Sequence, residues 1–251
     1  MQVRISVVRV RAWWLAALAV VFFCLGVVIW YTLAPEPSLG ITTMARSVAD
    51  RVIVIDPGHG GPDGGCSGAS GLLEKEVVLD VANRLGELLR QFGAVVIMTR
   101  ESDTDLSGLA PGVGTLRQRK NLDLAKRIEL GNNSHADAFL SIHANAFPQQ
   151  RYFGAQTFFN PRQVPDSQRL AVLLQEELVR LTGHTQRQAS DRINQRILNG
   201  LNCPAVTVEI GFLTNPREEQ LLSTPKYRQQ VAWSIFVGLC RYFAQAPEPV
   251  A

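Results

Sequence analysis

Arg51-Val-Ile-Val-Ile-Asp-Pro-Gly-His-Gly-Gly61 is the stretch from which the rest of the chain can be read. Val52 to Ile55 are four apolar β-formers, and Asp56-Pro57-Gly58 cannot continue a strand. His59 follows at once, and glycines then dominate up to Gly71. A buried strand that stops abruptly and delivers an imidazole at its carboxyl end is how open α/β sheets build sites. Taken singly, such a histidine is more often a turn residue than a ligand. Its meaning depends on the partners supplied by the rest of the chain.

The chain has 251 residues, enough for one large domain with a sizeable core. Its formal charge of +3 is informative once located. Arg4, Arg9 and Arg11 precede residue 35 and no acid does, so the 25 basic residues fall to 22 beyond it, against 22 acidic. That balance leaves no polybasic stripe and argues against nucleic acid as a partner. Ala12 to Ala34 carries no charge and is dense in Val, Leu, Phe and Trp. A helix of that length rises about 35 Å, enough to cross the hydrocarbon core. Trp13, Trp14, Trp30 and Tyr31 sit near its ends, where amphipathic rings prefer the interface.

The chain therefore reads as a cytoplasmic basic tail (1–11), a transmembrane anchor (12–34), a linker (35–50), a folded domain (51–245) and a flexible tail (246–251). The arginines before the anchor place everything beyond it outside the cytoplasm. A cleaved signal segment ending at Thr32-Leu-Ala34 is the alternative, but the apolar run exceeds the usual length of a signal core. In that case the domain is secreted. Cys24 lies in the membrane segment, and the remaining Cys66, Cys203 and Cys240 show no Cys-x-x-Cys spacing. Three is odd, so no disulfide framework follows; pairing of Cys66 with Cys203 stays open, as does contact of Cys66 with a metal. Cys240 falls on an apolar helical face and reads as core.

Within the domain, strands and helices alternate. A helix begins at Glu74, with Val78, Val81, Ala82, Leu85, Leu88, Leu89 and Phe92 at three- and four-residue spacings, and Gly93 stops it. Ala94 to Thr99 reads as a strand, 101–116 as a surface loop, and Leu116 to Asn132 as a second helix. Ala138 to Ile142 is a third strand ending on His143, and Ala155 to Phe159 a fourth. A leucine-rich helix runs from Asp166 to Thr182 and is ended by Gly183. Ala205 to Glu209 is a fifth strand, and Thr224-Pro225 opens the last helix. This pattern predicts a single α/β domain with a largely parallel twisted sheet flanked by helices.

Three of the predicted strands end on chemistry: His59 after the first, His143 after the third, and Glu209 at the end of the fifth. In a parallel sheet those ends share one edge, so the side chains can converge in one crevice. Glu74, in the first turn of the helix after the glycines, opens toward the same edge. Two imidazoles and a carboxylate make a catalytic zinc set, with a further carboxylate free to move protons. The residues alone leave open which glutamate binds and which acts as base. Singly, Glu74 is an acid favoured by the helix dipole and Glu209 a strand-end surface carboxylate. One edge collecting all four is harder to dismiss.

Val54-Ile-Asp-Pro-Gly-His-Gly-Gly61, Leu73-Glu-Lys-Glu76, Ser141-Ile-His-Ala-Asn-Ala146 and Val208-Glu-Ile-Gly-Phe-Leu-Thr-Asn215 appear in order. Together they resemble the four signatures of the zinc-dependent N-acetylmuramoyl-L-alanine amidases of type 3. Thr99-Arg100-Glu101, Leu124-Ala-Lys-Arg127 and Cys203-Pro-Ala205 agree with it, and the likeness covers residues 51–245. The resemblance implies that His59, Glu74 and His143 bind one zinc ion and that Glu209 is the catalytic carboxylate. It implies peptidoglycan as substrate, cut at the amide joining the lactyl group of N-acetylmuramic acid to L-alanine of the stem peptide. A zinc peptidase acting within the stem peptide and a non-catalytic wall-binding module are the rival expectations.

Several members of that family carry a helical plug after the second histidine. Here about ten residues separate Ala146 from the next strand, too few for one. A single anchored domain is similar to the spore-cortex, germination-specific amidases that prepare muramic lactam. Substrate targeting then rests on the anchor, the catalytic surface or an unknown activating protein. Elsewhere, His135 reads as a surface or helix-terminal histidine and His184 as a surface one, and Asp56 and Asn145 as residues that orient the ligands or bond local backbone. Arg187 and Arg192 read as a solvated face, with contact to the acidic stem peptide as the alternative.

Overall fold

In the computed structural model, which describes residues 19–25, 44–183 and 185–245, the opening stretch forms strand β1, Val52–Pro57. Its alternation sorts the core. Ile53 and Ile55 point into a large apolar cluster on one face, while Val54 joins a smaller one on the other. Beside β1 lie β2 (Val95–Met98) and β3 (Ala138–Asn145), both parallel to it. The remaining strands are β4 (Gln156–Phe159), β5 (Ser190–Asp191) and β6 (Ala205–Phe212), in the order β2-β1-β3-β6-β4-β5. The sheet is mixed, because β4 runs antiparallel to β6. The connection after β3 carries the chain past β6 before β4 pairs with it, so β4 returns against its neighbour.

Three helices cover the larger face. Helix α1 (Glu74–Gln91) buries Val77, Val78, Val81, Ala82, Leu85 and Leu89, a stripe at helical spacing. On the opposite face, α2 (Leu116–Asn133) is polar almost all round and buries Arg127 and Gly131. A capping box between Thr115 and Gln118 fixes its start. Helix α3 (Asp166–Thr182) joins α1 on the larger face. The short helices α4 (Arg196–Gly200) and α5 (Pro216–Leu222) follow, and α6 (Pro225–Ala244), capped by Thr224, completes the larger face. Burial on both faces of β3 and β6 explains their near-continuous apolar runs.

Several expectations change. β3 and β6 do not stop at Ile142 and Glu209 but run on to Asn145 and Phe212. His143 and Glu209 are cross-strand partners within the ladder, and the register shifts only between His143 and Asn145. β5, α4 and α5 are too short to leave a periodic signal. The linker expected over 35–50 is already folded from residue 44: Ala45 and Val48 are buried, and the Ser47 hydroxyl donates to Cys240 O at 2.7 Å. Cys66 and Cys203 are free thiols rather than a pair, since Cys66 packs on the larger core and Cys203 lies in the smaller one.

The chain divides into two units, Met1–Thr42 and Thr43–Ala251. In the first, residues 19–25 are helical and exposed. Among the described residues no helix is long and apolar enough to cross a membrane. The anchor expected over 12–34 lies largely outside the described residues, as do the tails 1–11 and 246–251 and His184.

Candidate metal centre and active site

The site begins with backbone geometry that the sequence does not advertise. His59 adopts φ 60, a left-handed conformation that costs a side-chain-bearing residue about 1–3 kcal/mol. Two buried arginines hold this turn. Arg100 donates to Pro57 O at 3.0 Å and Gly58 O at 2.8 Å, and Arg127 donates to Pro57 O and His59 O, each at 2.7 Å. Three consecutive carbonyls are thereby fixed, and with them the direction in which the imidazole leaves the sheet.

Arg127 is itself anchored on Asp56 at 2.6 Å and on Asp123 at 2.8 Å, and Asp56 also accepts from Thr99 and Ser141. Asp56 therefore orients the turn at His59 through Arg127. Asn145, by contrast, bonds local backbone, accepting from Ala146 N–H. Burial alone would raise the Asp56 carboxyl, but the Arg127 charge and the hydroxyl hydrogen bonds outweigh it and hold the pKa below the ordinary 3.8. A depressed folded-state pKa gives stability that is present above about pH 4 and lost as pH falls through the folded value. Urea-unfolding midpoints are expected to drop as the pH falls below about 4. In Asp56→Asn that acid dependence flattens, on top of a loss of about 1–3 kcal/mol, because Arg127 loses one buried counter-charge but keeps Asp123. Identical acid limbs in the two proteins would rule out the assigned linkage.

The three expected ligands meet. Glu74, the first residue of α1, is 4 % exposed, and its Oε1 lies 3.1 Å from His59 Nε2 and 2.9 Å from His143 Nδ1. Ala144 N–H donates to the same oxygen at 3.0 Å, and Cys66 N–H to Oε2 at 2.9 Å. The two rings stand edge to face with centroids 5.0 Å apart. One nitrogen from each ring and one carboxylate oxygen lie within 4.8 Å of one another. Glu74 comes this close because Gly65 lets it: at φ 71, a Cβ there would sit 2.5 Å from Glu74 Oε2 and 2.8 Å from the His59 ring. Glu219, on α5, ties the same loop down by accepting from Ser70 N–H and hydroxyl at 2.7 and 2.6 Å.

Electrostatics match a cation site. Burial opposes charge on His59, but Asp63 and Glu74 outweigh it and push its pKa up to about 9. Burial would raise the Glu74 carboxyl, yet His143 and His59 hold it well below the usual carboxylate range. Asp63, absent from the sequence reading, accepts from His59 Nδ1 at 2.9 Å and pairs with Lys120 at 2.8 Å. A carboxylate behind a histidine fixes the tautomer that leaves the other ring nitrogen free to ligate. The signal available in the sequence was an acid four residues after His59 in a glycine-rich loop.

Glu209 lies across the ladder from His143 and is 8 % exposed. Its Oε1 accepts from Arg192 Nη1 at 3.1 Å. Among the described residues, Oε2 is the buried side-chain oxygen left without a hydrogen-bond partner. Two imidazoles, a carboxylate and an orphaned second carboxylate oxygen fit a three-ligand zinc site with a proton acceptor beside it. An open groove of about 250 Å³ adjoins the histidines, with Asp56, Lys120, Arg127 and Gln195 among its walls.

Other expected candidates fall away. Cys66 directs its thiol at Ala144 O, 3.4 Å away, and burial beside Glu74 raises its pKa, so it is an inert wall of the site. His135 is exposed at the end of α2. Arg187 lies over the Phe212 ring and donates to Phe153 O. Arg192 is only partly solvated, and its guanidinium donates to Glu209.

The sequence model of a family described as N-acetylmuramoyl-L-alanine amidase matches residues 53–241. A germination-specific N-acetylmuramoyl-L-alanine amidase of Bacillus subtilis is 43% identical, covering 80% of this chain and 84% of that protein. The amidase AmiC of Neisseria meningitidis is 32% identical over 83% of this chain and 55% of its own length. Among solved structures, the CwlD amidase from Clostridioides difficile in complex with the GerS lipoprotein superposes with a TM-score of 0.74 at 38% identity. It covers 78% of this chain and 99% of that one.

Proposed function

The chain belongs to the N-acetylmuramoyl-L-alanine amidase family, and from that membership we propose that His59, Glu74 and His143 hold one zinc ion and that Glu209 moves the proton. The reaction is that of a peptidoglycan amidase, hydrolysis of the bond between the N-acetylmuramoyl group and L-alanine. The family is generally zinc-dependent. The observation that carries the residue assignment is the convergence of the two imidazoles on one Glu74 oxygen, beside a buried Glu209 oxygen with no partner.

Zinc held there supplies Lewis-acid polarisation of the amide carbonyl and makes water acidic enough to be deprotonated near neutral pH. The residues of the chain do the rest. Asp63 fixes the His59 ring, Arg100 and Arg127 fix its backbone, and Cys66 and Ala144 N–H groups aim Glu74. Glu209 accepts the proton of the attacking water and returns it to the departing L-alanine amine, so the carboxylate is regenerated.

Residues 51–245 form the catalytic domain in this reading. The uncharged stretch 12–34, with arginines only before it, supports a membrane anchor holding that domain outside the cytoplasm. The germination-specific relative supports a role in spore-cortex modification. The solved relative bound to a lipoprotein supports an exported lipoprotein as partner.

Mass spectrometry of purified peptidoglycan digested by the zinc-loaded protein tests the reaction. The expected products are peptide-free muramic acid and stem peptides with a new L-alanine amine. Cuts inside the stem peptide would replace the amidase with a peptidase, and intact material would leave a wall-binding module. Chelation is expected to abolish product formation and added zinc to restore it; zinc-free protein of full activity would overturn the metal assignment.

A further inference from the structure

Resting on the assignment of Glu209 as the proton-moving group, we propose that Arg192 is a positioning residue that aims the Glu209 carboxylate. Glu209 projects from β6 between His143 on β3 and Gln156 on β4. Its Oε1 is held by Arg192 Nη1 at 3.1 Å, and Oε2 has no partner. A carboxylate tied at one oxygen cannot swing freely, so the second oxygen presents a fixed acceptor. Arg192 is fixed in turn. Its guanidinium lies 3.5 Å from the centroid of the Phe158 ring, and its N–H donates to Phe159 O at 2.8 Å.

That backbone bond continues the pairing of Asp191 with Phe159, which explains a two-residue strand at the sheet edge. β5 brings the arginine to a carboxylate two strands away. The Arg192 side chain is 34 % exposed, so the pair contributes little to stability. Its consequence is geometric: it selects which carboxylate oxygen faces the ligand cluster.

The test compares wild type, Arg192→Ala, Arg192→Lys and Glu209→Gln as zinc-loaded full chains on a soluble muropeptide. Zinc content and melting temperature are measured for each. Arg192→Ala is expected to keep its zinc and its melting temperature within a few degrees, with KM within about threefold and kcat lower by about 10–100-fold, the scale of a misplaced catalytic group. Arg192→Lys is expected to recover part of kcat, because an ammonium can still donate to Oε1 but cannot lie flat on Phe158.

A raised KM with unchanged kcat would make Arg192 a substrate contact instead and overturn the proposal. Loss of zinc, or no rescue by lysine, would reduce it to a structural residue. An inactive Glu209→Gln beside a fully active Arg192→Ala sinks Arg192 alone. An active Glu209→Gln sinks the reading of Glu209 on which it rests.

Discussion

Glu209→Gln is expected to fold, bind zinc and be nearly inactive, with kcat lower by about 10²–10⁴-fold, the usual contribution of a positioned acid–base group. The physical reason is narrow. Glutamine keeps the volume of the side chain and an oxygen able to accept from Arg192, so packing against β3 and β4 survives. What it removes is the basic oxygen, the one atom that can take the proton of water and give it to the leaving amine. Glu209 is not among the three groups that cluster as metal ligands, so zinc content is expected to stay at the wild-type level. The measurement is the rate of amine release from peptidoglycan, with zinc determined in the same samples. Equal rates in the two proteins would remove Glu209 from the chemistry, and loss of zinc would make it a ligand.

Gly58→Ala is expected to weaken zinc binding by about 10–100-fold or more, although Gly58 is not itself one of the proposed ligands and the change adds one methyl group. Gly58 does not have a left-handed backbone, so the cost is not conformational. A Cβ there would lie 2.3 Å from His143 Cε1, 2.5 Å from Nε2 and 2.6 Å from Nδ1. No Cβ tolerates such distances, and the strand beneath cannot give: Gly58 N–H donates to Ile142 O at 2.9 Å, and Arg100 and Arg127 grip the carbonyls on either side. The movable object is the His143 ring, which must leave Glu74 and the facing His59. Competition with a chromophoric chelator reads the affinity, and urea unfolding reads the accompanying overpacking cost of about 1–3 kcal/mol. Wild-type zinc affinity in a folded Gly58→Ala protein would show that His143 is not held where the structure puts it.

Against these two positions, the legibility of the site divides by how far apart its parts lie in the chain. His59, Glu74, His143 and Glu209 were visible because each follows an apolar run or opens a helix. The parallel arrangement of β1, β3 and β6 brings the same end of those runs together, although His143 and Glu209 lie within their strands. Asp63 was overlooked although it lies four residues from His59, because its value depends on the left-handed turn at His59 that swings the ring back toward it. Arg127 was read as one residue of a family motif; its grip on Asp56 crosses 71 residues and no periodicity encodes it. Arg192 was taken for a solvated face because nothing local marks β5, whose two residues exist only as an addition to β4. The sheet is largely parallel as expected, but its antiparallel pair of β4 with β6 was not foreseen, since strand direction follows from the path between strands rather than from the strands themselves.

By itself, the stretch from Arg51 to Gly61 determined that a buried strand ends on a histidine, and the later patterned segments determined which residues could join it. Hydrophobic period and turn chemistry are local, so they can be read one residue after another. The tertiary structure decided which glutamate faces both imidazoles and which keeps a free oxygen. It also decided that two arginines clamp the turn at His59, that a third holds one oxygen of Glu209, and that a side chain at Gly58 would collide with the His143 ring. Each of these is a distance between atoms brought together only by the crossings of the sheet, and a distance of 2–3 Å cannot be inferred from spacing along the chain.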